Sequence, residues 1–572
     1  MISRNRIARW RHLLPMAALT ALAAGGCATT PAPQHSAAGT ATAEASQSDL
    51  VVYGCTSAGV IAAISAREHG KSVTLICQRN YVGGLTTNGL GYSDTGNHGV
   101  IGGLSLEFYK RLKQHYDQAS AWKHESDRAR EQPRYVADGA QWLFEPSAAQ
   151  AVFDGWLTAA GVTPLYDRPL DRSAGSVEKA GNRIVSIRTL DGARHRGAMF
   201  IDATYEGDLM AAAGISYTTG RESNATYGET LNGVQVAKTT SHQFKADVDP
   251  YRTPGRPESG LLAYVTNERP GPDGSADKKI QAYTYRLCMT DVASNRVPLA
   301  PPAGYDAADY QLLARYLAAG FNEVFRKFDR VPNGKTDVNN WGAFSFDAIG
   351  LNHDYPEASY AAREAILAKH VSYQKGLLWF LATDPQVPQS VRTEMNRWGL
   401  CKDEFVQNGN WPREIYVREG RRMVSDFVMA EPHLRAAKRT PDPIGMGSYA
   451  MDSHNVQRFV DDRGFARNEG NIEVSPGDAY PISYRAIVPK RAQAENLLVP
   501  VALSASHIAY GSIRMEPVFM ILGQSAATAA ALAIDAKVPV QDIDYAALRA
   551  DLIARGQILE KPAREVERRL EN

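Results

Sequence analysis

Regular alternation of apolar and polar positions begins at residue 49. Leu50-Val-Val-Tyr53, after Asp49, is a short apolar run with two β-branched residues, as a strand buried on both faces should be. It stops at Gly54-Cys-Thr-Ser-Ala-Gly59. Val60, Ile61 and Ile64 then recur at helical spacing among alanines, and Lys71-Ser-Val-Thr-Leu-Ile76 reads as a second strand. The pattern predicts a βαβ unit of about thirty residues. Arg196 to Ala203 predicts a further strand, with Glu206, Gly207 and Asp208 opening a short helix. Helical spacing returns near 356 to 383 and 415 to 437, where Met423, Phe427 and Val428 read as core. Glu495 to Val501 predicts the last strand. A long helix then runs from Arg514-Met-Glu-Pro517 to near Asp535. Pro517 suits a first helical turn, and Gly523, Ala526, Ala527 and Ala530 form one small face that can pack very close to a neighbour.

These elements predict an α/β fold: a two-dinucleotide-binding (Rossmann-type) domain that is discontinuous in sequence, over 48–215 and 481–540. An α+β substrate lobe is inserted over 216–480, and a helical tail occupies 541–572. A chain of 572 residues is too long for one core. Its composition, 44% hydrophobic and 22% charged with a net charge of +1, has no long basic run, which argues against nucleic acid as a partner. No run of eighteen apolar residues predicts a membrane-spanning helix.

The first 47 residues read as targeting sequence. Arg4, Arg6, Arg9 and Arg11 precede the apolar stretch Leu13 to Ala24 and then Gly25-Gly26-Cys27. That is the layout of a signal peptide over 1–27, of the lipoprotein type in which Cys27 becomes the lipidated first residue, although Ala24 stands where leucine is usual. Residues 28–47, rich in Ala, Thr, Ser, Pro and Gln, read as a flexible tether. The expected location is therefore outside the cytoplasm, in the periplasm or on the outer membrane, with Cys27 as the membrane attachment. The signal lacks an adjacent arginine pair. The other cysteines, Cys55, Cys77, Cys288 and Cys401, fit no zinc or iron–sulfur spacing and are expected to be mostly buried free thiols. No metal site is expected.

The chemistry starts at the first turn. Gly54 lets the chain turn sharply off the strand, and Gly59 lets the helix approach the sheet. Ser57 and Ala58 between them present helix N–H groups and the positive dipole end to a pyrophosphate. Thr56 stands where the dinucleotide-binding pattern has its middle glycine, and Cys77-Gln78 stands where an acidic residue usually binds ribose. Gln78 supplies an amide there instead. Arg79, the doublet Gly83-Gly84 and Thr87 follow: a basic residue, close backbone approach and a hydroxyl donor for phosphate or ribityl oxygens.

Residues 49 to about 110 resemble the bacterial exported FAD-dependent oxidoreductases, which are distantly similar to the flavin domain of heterodisulfide reductase; some members are labelled xanthan-lyase-related. The resemblance continues through Asn88 to Gly96, Ile101 to Tyr109, Phe200 to Asp208, Tyr227 to Gly233, Gly447 to Gln457 and Ser504 to Pro517. It implies FAD as cofactor. No cysteine group for an iron–sulfur cluster accompanies it.

The resemblance brings Ala203 and Thr204 back to the flavin domain and sets Met515 and Glu516 at the flavin edge, where the dipole of the long helix stabilises negative charge. Glu206 and Asp208 serve equally as helix caps or in a cofactor or hinge role. His507, in the lead-in to that helix, is the first candidate base for oxidising an alcohol or amine. Arg514 is a candidate for an anionic substrate or for the flavin, and His454 is a second candidate base. Tyr484 and Arg485 are weaker candidates. The loops Lys335 to Trp341 and Asn352 to Tyr355 suit a carbohydrate ligand as well as they suit ordinary loops. The expected activity is oxidation of a small polar substrate, with sugar derivatives among the candidates, and transfer of the electrons to a non-nicotinamide acceptor. A polysaccharide-processing lyase and a tethered flavin electron carrier are the alternatives.

Overall fold

The computed structural model describes residues 46–126 and 135–561. The predicted signal peptide, Cys27 and most of the tether lie outside the described residues, as does the end of the tail.

Strand β1 (Ser46–Tyr53) lies inside the first sheet, one strand from its edge. On one side it pairs in parallel with β2 (Val73–Ile76), Tyr53 opposite Ile76. On the other it pairs in parallel with β5 (Arg194–Asp202), Ser46 opposite His195 and Tyr53 opposite Asp202. The strand begins at Ser46, so Ser46 and Gln47 belong to the sheet and not to the tether. The nine-residue β5 offers partners that far back, and Ser46 Oγ lies 2.8 Å from His195 Nδ1.

β5 forks. Its first half pairs antiparallel with β4 (Arg183–Arg188), which pairs with β3 (Val177–Ala180). Its second half pairs in parallel with β11 (Leu497–Leu498). The last strand is thus two residues long where the sequence predicts about seven.

Helix α1 (Ser57–Glu68) leaves β1 through Gly54, whose φ is +104°. A Cβ there would sit 2.6 Å from the backbone carbon of Ala203. Helix α4 (Glu516–Ala536) lies against α1, and a Cβ on Gly523 would fall 2.3 Å from the Ala58 carbonyl oxygen. The small face predicted for this helix therefore meets the first turn of α1. Among the described residues α4 is the one helix long and apolar enough to cross a membrane, but 89% of that stretch is buried inside the protein, which makes it a core helix.

A second sheet, wholly antiparallel, lies within the segment expected as the inserted lobe. Its strands are β6 (Leu287–Thr290), β7 (Arg296–Val297), β8 (Phe328–Val331), β9 (Lys335–Val338) and β10 (Gly399–Cys401), in the order β7-β10-β6-β9-β8. Asp337 of β9 holds the chain after the glycine doublet by accepting from the backbone N–H of Gly91 (2.8 Å) and Tyr92 (2.9 Å). Arg286 closes on the same carboxylate with two bonds of 2.7 and 2.8 Å.

The helix predicted near 356 to 383 is α2 (Tyr360–Thr383), capped by Ser359, whose hydroxyl accepts from Ala362 N–H. The one predicted over 415 to 437 does not form. That segment is extended, Arg422–Met423 pairs with Tyr217–Thr218, and only Glu431–Leu434 is helical. Arg418, Glu419, Arg421 and Arg422 are all buried, and their partners Asp347, His507, Asp208 and Glu222 come from different parts of the chain. An extended backbone reaches them in turn, and this outweighs the apolar spacing.

Gly523→Val should force α4 away from the first turn of α1 and cost about 1–3 kcal/mol. Chemical denaturation of the purified protein measures it.

Candidate functional site

The turn after β1 is built tightly. Thr56 caps α1 by accepting from Gly59 N–H and donates its hydroxyl to the Ala203 carbonyl, 2.7 Å away. The threonine in place of the middle glycine thus ties the turn to the end of β5. A Cβ on Gly59 would lie 1.9 Å from the Gly54 carbonyl oxygen, and one on Gly84 would lie 2.3 Å from Tyr205 Oη. Gly83 N–H donates to the Cys55 carbonyl at 2.7 Å, which joins the glycine doublet to the same turn.

Cys55 and Cys77 form a disulfide, which corrects the expectation that the cysteines are mostly free. Tyr53 and Ile76 are register partners, so Cys55, two residues past the end of β1, and Cys77, the first past β2, come together with Cα atoms 5.0 Å apart. The bridge closes the phosphate-side turn onto the end of β2. Cys288 and Cys401 are buried and free, as expected.

Glu516 does not sit alone at one edge. Its carboxyl accepts from Ser57 Oγ at 2.5 Å, Thr86 Oγ1 at 2.8 Å and Tyr205 Oη at 2.6 Å. Tyr205 Oη in turn accepts from Leu85 N–H at 2.9 Å. The first turn of α1, the turn after the glycine doublet, the end of β5 and the start of α4 therefore meet at one buried side chain. Burial pushes the Glu516 carboxyl above the ordinary range, against the pull of its three donors. Met515 is the residue before the helix, with no side-chain cap. Thr87 differs from expectation: its hydroxyl donates to the Val82 carbonyl within its own turn, and Thr86 is the residue that reaches the joint. Thr204 is likewise occupied locally, donating to Asp202.

A cavity opens at the carboxyl ends of β1 and β2, lined by Thr56, Gln78, Arg79, Tyr205, Glu206 and Glu414 among others. This is where a dinucleotide binds in an open α/β sheet. No acidic residue follows β2 in sequence, but two carboxyl groups from elsewhere in the chain, Glu206 and Glu414, line this cavity. Glu414 accepts from Tyr81 Oη at 2.8 Å, and burial and the neighbouring Glu206 push its carboxyl up to about 7. Glu206 accepts from Tyr355 Oη at 3.0 Å. Nothing local in the sequence marks Glu414.

Beside the start of α4 lies a buried chain of charges. His507 opens α3 (His507–Ile513). Its Nδ1 is 2.7 Å from Glu419, its Nε2 is 3.1 Å from Ser453 Oγ, and its backbone N–H donates to Glu222. Burial works to raise the Glu419 carboxyl, but His507 and Arg422 hold it below the usual range. His454 Nδ1 meets Asp347 at 2.7 Å and its Nε2 meets Asp452 at 3.2 Å. Burial and Arg418 oppose a charge on His454, and the two carboxylates prevail, raising it. Arg514 pairs with Asp452 at 2.9 Å and donates to Tyr416 Oη at 2.7 Å. The three predicted catalytic residues are thus brought together. Gln281 links them, giving its backbone N–H to Glu419 and accepting from His454 N–H and Arg514.

The loops proposed for carbohydrate are occupied by the protein itself. Lys335 is buried among Glu145, Asp403 and Glu404. Trp341 donates to Glu323 and lies under Arg326, and the Asn352 side chain holds the backbone of Gln281 and Tyr283.

A sequence model for FAD dependent oxidoreductases matches residues 49–552. The chain belongs to this family. FAD is its cofactor, and the polar lining of the β1–β2 cavity is chemically compatible with it: carboxyl groups of Glu206 and Glu414, the amide of Gln78, Arg79 (which also pairs with Glu364) and the glycine turn with Gly84. No curated protein sequence matches the chain. Solved structures similar in part include L-amino acid deaminase from Proteus vulgaris (16% identity, 32% of this chain and 54% of that one, TM-score 0.23). L-proline dehydrogenase from P. horikoshii (18%, 32% and 59%, TM-score 0.23) and a flavin-containing monooxygenase from Stenotrophomonas maltophilia (15%, 33% and 45%, TM-score 0.18) are others. The matched part spans little more than half of the longest-covered of these three, too little to bear on substrate.

Gly54→Val should abolish FAD retention, because any side chain there strikes the Ala203 backbone; the flavin absorbance of the purified variant checks it. For Glu414, a folded pKa of about 7 against an ordinary 4.5 means that the protonated form contributes stability below 4.5, which is lost as pH rises through about 7. The melting temperature of FAD-free protein should fall over that window, and Glu414→Gln should flatten the fall.

Proposed function

We propose that this FAD-dependent oxidoreductase oxidises a small polar substrate, sugar derivatives being one candidate class, and passes the electrons to an acceptor other than a nicotinamide. The observation that carries the reading is the buried His454–Arg514–His507 network at the start of α4, next to the Glu516 joint where the cofactor segments meet. Bound FAD supplies the electron acceptor for the substrate. The chain's part is to hold and move protons beside it. Glu419 orients His507 through Nδ1, so that Nε2, on exchanging Ser453 for substrate, is the ring nitrogen placed to take a proton. His454, whose pKa the carboxylates of Asp347 and Asp452 raise against burial and Arg418, fixes Asp452 and through it Arg514. Met515 and the open first turn of α4 face the flavin edge in this reading.

The location we propose is the periplasm or outer membrane, with a lipid on Cys27 as the attachment. The Cys55–Cys77 bridge supports an oxidising compartment, and reduced nicotinamides are scarce there.

The visible spectrum of the mature protein, taken before and after acid precipitation, comes first. Flavin absorbance passing into the supernatant marks non-covalent FAD, and colour in the pellet marks a covalent bond. His507→Ala should keep its FAD yet be reduced by substrate about a hundredfold more slowly under anaerobic conditions. An unchanged rate would remove His507 from the proton transfer.

A further inference from the structure

Arg418 and Arg514 approach the same tyrosine ring. Their guanidinium carbons lie 5.0 and 5.2 Å from the centre of Tyr416. Both side chains are buried, and so is Gln281. Arg418 uses Nη1 on the Ala282 carbonyl and on Asp347, the latter 2.9 Å away. Arg514 uses Nη1 on Tyr416 and Nη2 on Asp452 and Gln281. Four donors remain: Nε and Nη2 of Arg418, Nε of Arg514 and Nε2 of Gln281 have no hydrogen-bond partner among the described residues. Buried guanidinium and amide donors are almost always satisfied in folded proteins, and leaving several together is costly.

Arg418, Asp347, His454, Asp452 and Arg514 are joined in that order, two guanidinium groups and a histidine against two carboxylates. Tyr449, Asp94 and Asp452 are partly exposed, with Asp94 engaged by Tyr449 at 3.3 Å and 3.8 Å from Arg286.

We propose that Arg418, Arg514 and Gln281 bind a carboxylate group of the substrate, which makes the substrate an acid, such as a sugar acid, and not a neutral sugar. A carboxylate is acceptor-only and planar, and its two oxygens match guanidinium donors. The one buried acceptor in this chain of charges without a hydrogen bond, Asp347 Oδ1, already faces Arg418 at 2.9 Å, so the unmet capacity of the cluster is in donors. The proposal rests on the oxidoreductase reading of this site.

The same donors would also suit the oxygen-rich pyrimidine edge of the flavin, and the test separates the two. FAD-loaded full-length protein is titrated with acetate and, separately, with acetamide at constant ionic strength, and the flavin difference spectrum is read. Acetate should give a saturable change and acetamide none. Arg418→Met should weaken acetate binding about tenfold or more at unchanged FAD content, with Gln281→Leu as a second variant in case the first does not fold. Equal responses to acetate and acetamide in the wild-type protein overturn the proposal. So does acetate that binds only FAD-free protein in calorimetry and is displaced by FAD, because the donors then belong to the cofactor. Protein that takes up no FAD, seen in the absorbance before any acetate is added, overturns the flavin-dependent reading and the proposal with it.

Discussion

Three hydrogen bonds to one buried carboxyl group hold the cofactor half of this molecule together. Glu516 receives Ser57, Thr86 and Tyr205, and each of these belongs to a different segment that must be in place for a dinucleotide to be bound. The close approach of α4 to α1 at Gly523 and Ala58 makes the joint possible, since a larger residue would move the carboxyl out of reach. The joint is also demanding. Without the carboxyl, three hydroxyl donors would be left buried and unmatched, each at a cost of about 1–3 kcal/mol. The packing of small residues and the polar contacts at the helix end therefore depend on each other.

The polar network beyond that joint follows a different logic. Arginines 418, 421 and 422 lie almost wholly out of water, each against an acidic partner from elsewhere in the sequence. Such pairs add little to stability once desolvation is counted. Their effect is positional: a segment that would otherwise coil into a helix is drawn out straight. That straightening delivers Glu414 to one cavity and Arg418 and Glu419 to the other cluster.

How much of this is legible along the chain depends on distance. The β1–α1–β2 unit, the α4 helix with its small face and the α2 helix follow from short-range spacing, and the structure has them. Gly54, Gly59 and Gly84 stand in the turns where the sequence puts them because turns leave local signatures, whereas the convergence of Ser57, Thr86 and Tyr205 on Glu516 has no local signature. Cys55 and Cys77 are adjacent only through the register of β1 with β2, which no spacing rule expresses. Glu414 reaches the end of β2 across more than three hundred residues, and the sequence at 414 has no feature that marks it for that cavity. The 415–437 segment misleads because Met423, Phe427 and Val428 fall at helical intervals, while the charges that decide its shape find partners only in three dimensions. Thr87 and Thr86 are neighbours of the same type, and which one faces the joint is set by the turn itself.

Ser57 and Glu516 are 459 residues apart. A chain still being synthesised has the βαβ unit long before it has the helix that completes the site, so nascent or truncated forms have the phosphate turn but not the group that anchors it. Loss of the C-terminal part would empty a site whose most recognisable motif lies near the N-terminus. Cofactor content therefore reports on the integrity of the whole polypeptide, and a colourless fraction in a preparation is as much a sign of clipping near the end as of missing FAD.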